Sequence, residues 1–338
     1  MKHHFIINPA AGKGTHVQSL TKRIAESADA HQIEYEIYMT KAPGDATEFV
    51  AQTVAADSEH HRFYACGGDG TLGEVVCGAP LCERAEFALI PIGTGNDFCR
   101  NFDDRAAFFD IDRQIMGEPM PIDLIRYNDR YCINMMNVGF DCNVVERTTS
   151  LKKSRFIPSS MAYSAGVVST LMHKITTDMR ITLEDGEVIE RPLLLMSVAN
   201  GRFYGGGFRS NPRANLDDGL FDVNIIEKVS RLTFLSLISS YKAGTHLETA
   251  AKYITYRQSK TLTMSFDQET LICVDGETSP ATELTISIVP EATRFVLPAG
   301  VRCLSSRDFV EDKAEMSLGE ETEAQKTVDE TQKDHELV

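Results

Sequence analysis

Up to Pro121, short apolar runs alternate with longer segments of helical period. Phe5-Ile6-Ile7, Ile33–Met39, Phe63–Cys66 and Phe87–Ile92 predict strands. Between them His16–Ala28, the stretch from Asp45 to about Ala56 and a short stretch from Thr71 predict helices. Asp45-Ala46-Thr47-Glu48 has the form of a capping box opening the second helix. Alternation of this kind argues for an α/β domain with a mainly parallel sheet. Ligands of such sheets sit at the carboxyl ends of the strands, where the loops are.

After Pro121 the pattern changes. Hairpin signals stand at Asp185-Gly186, at Asp218-Gly219 before Leu220–Ile226, and at Asp275-Gly276 after Leu271–Val274. Helical period returns over Ser159–Ile175 and Arg231–Ser240. This half reads as β-rich, a sandwich, and no internal repeat is visible. Beyond about Ser306 the chain is rich in Glu, Thr, Lys and Gln with few large apolar residues, which predicts a disordered tail over 307–338.

A length of 338 residues suggests two domains, and 42% apolar residues suffice for real cores. The net charge is -15, which argues against a phosphate-tracking nucleic-acid binder. Asp308–Val338 holds 11 acidic and 3 basic side chains, so the rest carries only about -7 and has room for a basic face. The eight cysteines include no C-x-x-C pair, which argues against zinc; they read as buried thiols of a reducing cytosol. No apolar run approaches the length of a membrane helix, and Met1-Lys2-His3-His4 enters a strand without a leader-like segment. A cytoplasmic protein is expected, one that would visit a membrane from the cytosolic side. The His3-His4 and His60-His61 pairs read as loop and strand-edge residues.

Three glycine-rich turns carry the chemistry. Asn8-Pro9-Ala10-Ala11-Gly12-Lys13-Gly14 follows the first strand, where glycines let backbone N–H groups approach an anion. It is not a Walker A loop, because Gly14 stands where Ser or Thr is required, and a plain turn is an equal reading. Gly67-Gly68-Asp69-Gly70-Thr71 lies between strand and helix, so a phosphate chain could reach both the backbone and a helix N-terminus. A carboxylate in such a loop would repel phosphate unless a cation bridges them, so Asp69 predicts Mg²⁺. Pro91-Ile92-Gly93-Thr94-Gly95-Asn96-Asp97-Phe98 adds a third turn and a second carboxylate, with Arg100 on the same face; Asp123 is a third. Three such Asp residues would form a metal and water network, although Asp123 alone reads as a strand-end residue.

The Asn8-Pro9 start, Gly67-Gly68-Asp69-Gly70-Thr71 and Gly93–Phe98, in this order and spacing, resemble the diacylglycerol kinase catalytic family. Its relatives include bacterial soluble diacylglycerol kinases, YegS-like lipid kinases, and sphingosine and ceramide kinases. The resemblance covers roughly residues 3–300. It implies a phosphofructokinase-like α/β nucleotide domain over 1–123, a β-sandwich substrate domain over 124–295, and a return of about 296–306 to the first domain. It implies that ATP is held by Asn8, Gly12, Thr40, Gly67, Gly68, Asp69, Gly70, Thr71 and Thr94. Asp69, Asp97 and Asp123 match the family's Asp–water–Mg²⁺ network. Asp275-Gly276-Glu277 matches the family's catalytic Asp-Gly-Glu, in which Asp275 takes the proton of the lipid hydroxyl and Glu277 flanks it. By its residues alone, Asp275-Gly276 is a hairpin turn. Asn215-Leu216-Asp217-Asp218-Gly219-Leu220 resembles a structural Mg²⁺ loop in which Asn215, Asp218 and Leu220 supply oxygens; a bare turn is an equal reading.

Less specific features remain. Gly205-Gly206-Gly207-Phe208-Arg209 either flanks the cleft or is a long turn. Met135, Met136, Met161, Met172 and Met179 read as core ahead of acyl-groove residues. Lys152-Lys153-Ser154-Arg155-Phe156 beside Ser159–Ile175 reads as a solvated turn ahead of a membrane-touching element. The expectation is an ATP- and Mg²⁺-dependent lipid kinase acting transiently at a membrane surface, with a homodimer allowed by the resemblance. A soluble-metabolite kinase of NAD-kinase type and a non-catalytic nucleotide-binding regulator are the alternatives.

Overall fold

The computed structural model describes residues 1–12, 17–144, 146 and 175–304. Lys13 and Gly14 of the first loop, the Lys152–Phe156 cluster, Met161, Met172, all but the last residue of the Ser159–Ile175 segment and the 307–338 tail lie outside the described residues.

The α/β part begins with β1 (Lys2–Ile7), α1 (Val17–His31), β2 (Tyr35–Met39), α2 (Asp45–Ala56), β3 (His61–Gly67), α3 (Asp69–Cys77) and β4 (Ala85–Pro91). The strands are parallel, as the alternating sequence pattern predicts, and lie in the order β4-β3-β1-β2. The inner strands β1 and β3 are buried along their length apart from Lys2, as expected of a sheet covered on both faces. One face carries α1, whose buried Leu20, Ile24 and Ala28 recur at helical spacing; Leu20 and Ile24 join Phe5, Ile7, Tyr64 and Ile90 in one core. Burial of each such Leu or Ile contributes about 1.5–3 kcal/mol.

Two local expectations are corrected. Asp45 does not cap α2: the N-cap is Gly44 at φ 84°, and the Asp45 carboxylate accepts instead from the Tyr38 hydroxyl and the Lys41 N–H. His3, His4 and His61 are not edge residues. Strand β1 lies between β2 and β3, so all three are buried, and His4 Nε2 meets His61 Nδ1 at 3.0 Å.

The β-rich part comprises β5 (Glu118–Tyr127), β6 (Arg130–Cys132), β7 (Met135–Gly139), β8 (Thr177–Leu183), β9 (Val188–Ala199), β10 (Phe221–Glu227), β11 (Ile254–Ser259), β12 (Thr261–Val274) and β13 (Glu277–Leu297). A short helix α4 (Ile111–Ile115) precedes it, and α5 (Arg231–Ala243) lies between β10 and β11. Strands β9 and β12 are long enough to serve two partners along one edge, besides β10 and β13 on the other. Their outer stretches pair with β8 and their inner stretches with β7, with a register shift in β12 between Ser265 and Thr270. A strand that bends at a bulge passes from one layer to another, which is how one continuous sheet closes around a core. That core holds Met136, Met179, Phe221 and Ile286, so these methionines are packing residues. Strand β13 pairs with β5 as far as Leu297 and, on its other edge, in parallel with β4 at Arg294 and Phe295. One strand thereby connects the sandwich to the α/β sheet and fixes where the β12–β13 turn sits relative to α3.

Candidate active site

The four parallel-strand ends meet as expected of the carboxyl edge of such a sheet. Asn8 follows β1, and its Nδ2 donates to the Thr71 hydroxyl at 3.0 Å, while its Oδ1 accepts from the Ala10 N–H. Gly12, at φ 61°, lies so near the Ile92 carbonyl that a Cβ would stand 2.6 Å from it. Thr40 follows β2 and donates its N–H to the Ile7 carbonyl, tying the β2 end to the β1 end. Gly67 ends β3, Gly68 caps α3, and the Gly93 N–H donates to the Gly67 carbonyl at 3.1 Å. Helix α3 thus points its N-terminus into the shared loop region; Thr94, on the adjoining turn, is exposed.

Asp69 and Asp97 are brought together. The Asp69 carboxylate accepts the N–H groups of Asp97 (3.0 Å) and Phe98 (2.9 Å). Asp97 accepts from Arg100 Nε at 3.0 Å and from the Gly206 N–H at 2.8 Å. Burial, reinforced by the nearby Asp69, pushes the Asp97 carboxyl above the ordinary range. The Gly205–Gly207 loop therefore flanks this acidic site.

Asp123 does not join them. Its carboxylate accepts the N–H groups of Gly219 (2.7 Å) and Glu291 (2.8 Å), and its charged neighbours are Asp218 and Asp217. Among the described residues no three His, Cys, Asp or Glu side chains are grouped closely enough to hold a metal ion. The reason lies in β5: Asp123 sits where that strand meets the loop before β10, on the sandwich side. Asn215, Asp218 and Leu220 do come together in that loop. Asp218 accepts from the Leu220 N–H at 3.1 Å and from Asn215 Nδ2 at 3.2 Å, closing the turn on itself. Asp218-Gly219 is no tight hairpin either, because residues 200–220 all lie between β9 and β10.

Asp275 occupies the β12–β13 turn. Val274 pairs with Glu277, and Asp275 and Gly276 take φ of 47° and 91°, the two positive values of a type I′ connection. Its carboxylate is held in a backbone cradle. Oδ1 accepts the N–H groups of Asn134 and Met135, each at 3.0 Å, and the Cys132 thiol at 3.2 Å; Oδ2 accepts the Ile133 N–H at 2.9 Å. Burial raises its pKa, and these donors oppose the rise. Oδ2 also faces Gly73 of α3, 3.4 Å from where a Cβ would stand. The hairpin reading and the site reading of Asp275-Gly276 are thus compatible: the turn presents the acid to the glycine helix.

Three spaces adjoin these residues. A cleft of about 310 Å³ is bounded by Gly70, Gly73 and Glu74 on one wall and by Arg130, Asp275 and Glu277 on the other. A space of about 120 Å³ holds Asp69, Asp97 and Asp275 together with Asn134, Asp141 and Tyr204. An apolar cavity of about 360 Å³ lies beyond, between the β-sandwich and α5. Asp141 and Tyr204 line both of the last two, and no sequence motif marks them.

A parallel sheet with glycine loops at its strand ends, met by a buried aspartate from a β-sandwich, defines the fold class of a kinase. The family model for the diacylglycerol kinase catalytic domain matches residues 2–127, and that for the YegS C-terminal NAD kinase beta sandwich-like domain matches residues 134–297. A diacylglycerol kinase of Staphylococcus epidermidis is 32% identical over 278 residues, covering 80% of this chain and 84% of the relative. One of Bacillus subtilis is 28% identical over 276 residues, covering 80% and 88%. The crystal structure of a diacylglycerol kinase from Bacillus anthracis has the same fold, with a TM-score of 0.64 and 21% identity over 88% of this chain and 97% of that one. The chain belongs to the diacylglycerol kinase family.

Proposed function

We propose that the protein is an ATP-dependent lipid kinase that transfers the γ-phosphate of ATP to a hydroxyl of a diacylglycerol-like lipid. One observation carries this reading: Asp275 lines both the cleft beside the glycine helix and the acidic space that leads into an apolar cavity. A donor on the α3 side and a lipid acceptor on the cavity side would meet at its carboxylate.

Phosphoryl transfer needs positioning and charge stabilisation more than covalent chemistry. The Gly67–Thr71 loop and the α3 N-terminus would cradle phosphates, with the Asn8–Thr71 hydrogen bond fixing the first loop against the helix. Arg130, on the opposite wall of the cleft, would add a cation. Asp275 would accept the acceptor's proton, and its cradle of N–H groups holds the carboxylate in one orientation. Asp69 and Asp97 suit Mg²⁺: a Cβ on Gly95 would lie 3.2 Å from Asp69 Oδ2 and 3.4 Å from Asp97 Oδ2, so two hard oxygen donors converge there. The ion would supply neutralisation of phosphate charge. Asp123 would act at most through the loop it anchors.

Lipid access is supported by α5. Its Phe234, Leu237, Ile238 and Tyr241 line the apolar cavity, while Leu232 and Leu235 on the same helix are 81% and 51% exposed. A helix apolar on both faces fits a transient contact with a membrane surface. No helix among the described residues is long and apolar enough to cross a membrane.

The test is transfer of labelled γ-phosphate from ATP into a total lipid extract, comparing the native protein with Asp275→Asn. A labelled lipid seen only with the native protein is expected. Absence of any labelled lipid, with ATP binding intact, would move the reading to a soluble acceptor.

A further inference from the structure

The apolar cavity has a polar mouth. Its walls include Phe140, Leu194, Leu195, Phe234 and Tyr253, and its volume of about 360 Å³ lies near the small end of the 300–1,000 Å³ typical of small-molecule sites, room for one chain. At the mouth Tyr204 donates its hydroxyl to Asp141 Oδ2. Both residues also line the space that holds Asp69, Asp97 and Asp275, so the pair stands at the junction of the two.

A carboxylate at the rim of an apolar cavity is costly unless donors satisfy it. Among the described residues, the Tyr204 hydroxyl is the one hydrogen-bond partner of the Asp141 side chain, and no cation opposes it. Burial pushes its carboxyl up to about 6, so near neutrality the charged form still prevails. Among the described residues the donors nearby are the Asn137 amide on the acidic space and the Tyr241 hydroxyl on the cavity side, neither of them hydrogen-bonded to Asp141. Tyr204 and Tyr241 lie on the cavity side with His246, a histidine whose burial lowers its pKa to about 4; Cys273 faces it from β12; and Asp69, Asp97 and Asp275 lie across the acidic space. Among the described residues Oδ1 of Asp141 has no hydrogen-bond partner, so it is an acceptor open to a group that enters the mouth.

We infer that Asp141, oriented by Tyr204, is a specificity-determining residue that accepts a hydrogen bond from a second donor on the lipid head, next to the hydroxyl that is phosphorylated. The favoured acceptor is then a single-chain lipid whose head carries two donors, such as a monoacylglycerol diol, ahead of a 1,2-diacylglycerol, whose one hydroxyl is the reacting group. The inference rests on the lipid-kinase reading and adds a substrate preference to it.

The experiment measures kcat/KM for 1-monooleoylglycerol and 1,2-dioleoylglycerol in mixed micelles, using the native protein, Asp141→Ala and Tyr204→Phe. For the native protein a ratio of about tenfold or more in favour of the monoacyl lipid is expected, the difference that one charge-assisted hydrogen bond makes. Asp141→Ala should bring the ratio close to one by raising KM for the monoacyl lipid, with KM for ATP unchanged. Tyr204→Phe keeps the carboxylate and should lower the ratio only partly, which guards against a folding defect in the alanine variant. An equal ratio in all three proteins, or a native preference for the diacyl lipid, overturns the inference while leaving the kinase reading intact. Absence of transfer to either lipid overturns both.

Discussion

Gly93 faces Gly68 so closely that a Cβ on Gly93 would stand 2.5 Å from the Gly68 Cα and 2.9 Å from its nitrogen. The reverse contact is looser: a Cβ on Gly68 would lie 3.4 Å from the Gly93 Cα. The two loops that end β3 and β4 therefore pack backbone against backbone, and the side-chain-free position that matters is Gly93. Gly93→Ala should push the loops apart, weaken ATP binding by at least about tenfold and destabilise the fold by about 1–3 kcal/mol. Gly68→Ala should be milder on both counts. Calorimetric ATP titration beside urea denaturation checks the order; equal effects of the two substitutions would show that the loops move freely.

The acid limb of the pH–rate profile should report the cradle around Asp275. A base must be ionised to act, and burial raises this carboxyl, so the limb should lie above that of an ordinary carboxylate. The Cys132 thiol donates to Oδ1 and lowers the pKa. Cys132→Ala removes that donor, so the limb should move to higher pH. A limb that stays in place would mean that Asp275 is not the titrating base.

How much of this was legible follows from sequence distance. Gly67–Thr71 and Gly93–Phe98 are local signatures, because a strand, a glycine turn and a helix start lie within a few residues. Asp275-Gly276 was legible as a turn from two residues, and as a site only through the family's motif. Asp141 and Tyr204 were not legible: they are 63 residues apart and meet only when the 200–220 loop folds back beside the β7 end. The family's motif groups Asp123 with Asp69 and Asp97, and no short-range pattern reveals that β5 turns its carboxylate to Gly219 and Glu291. The burial of the histidines is hidden for a similar reason, since which strand is central depends on pairing order. The α/β core emerged readily from periodicity; the shared use of β9 and β12 by β7 and β8 did not, because one strand serving two partners leaves no periodic mark.

Stability should fall as pH rises from about 4 to about 7, and Asp222 is one cause. Its side chain is fully buried, accepts the Tyr256 hydroxyl at 2.5 Å, and has its carboxyl pushed up to about 7 by burial. Between about pH 4 and 7 the folded chain then holds a proton that the unfolded chain has lost, so stability present below pH 4 is lost as pH rises. Some three pKa steps at about 1.4 kcal/mol each make this roughly 4 kcal/mol. Asp222→Asn keeps an acceptor for Tyr256 and cannot ionise. Its stability should match the native protein near pH 4 and exceed it at pH 8. Urea midpoints that run parallel for the two proteins over this range would exclude Asp222 as the source.

The outward leucines of α5 separate membrane contact from chemistry. Leu232 and Leu235 face away from the cavity that their own helix helps to line, and their exposure means that replacing them costs the fold little. A Leu232→Glu, Leu235→Glu double variant puts two negative charges where apolar area would enter the lipid interface. Vesicle binding should drop, and activity on vesicle-dispersed lipid should fall by about tenfold, about 1.4 kcal/mol, within what burying two leucines is worth. Activity on a dispersed short-chain lipid, and ATP affinity, should hold. An equal loss on both lipid forms would place the leucines in the fold or the site, and no loss on vesicles would place the membrane contact on another face.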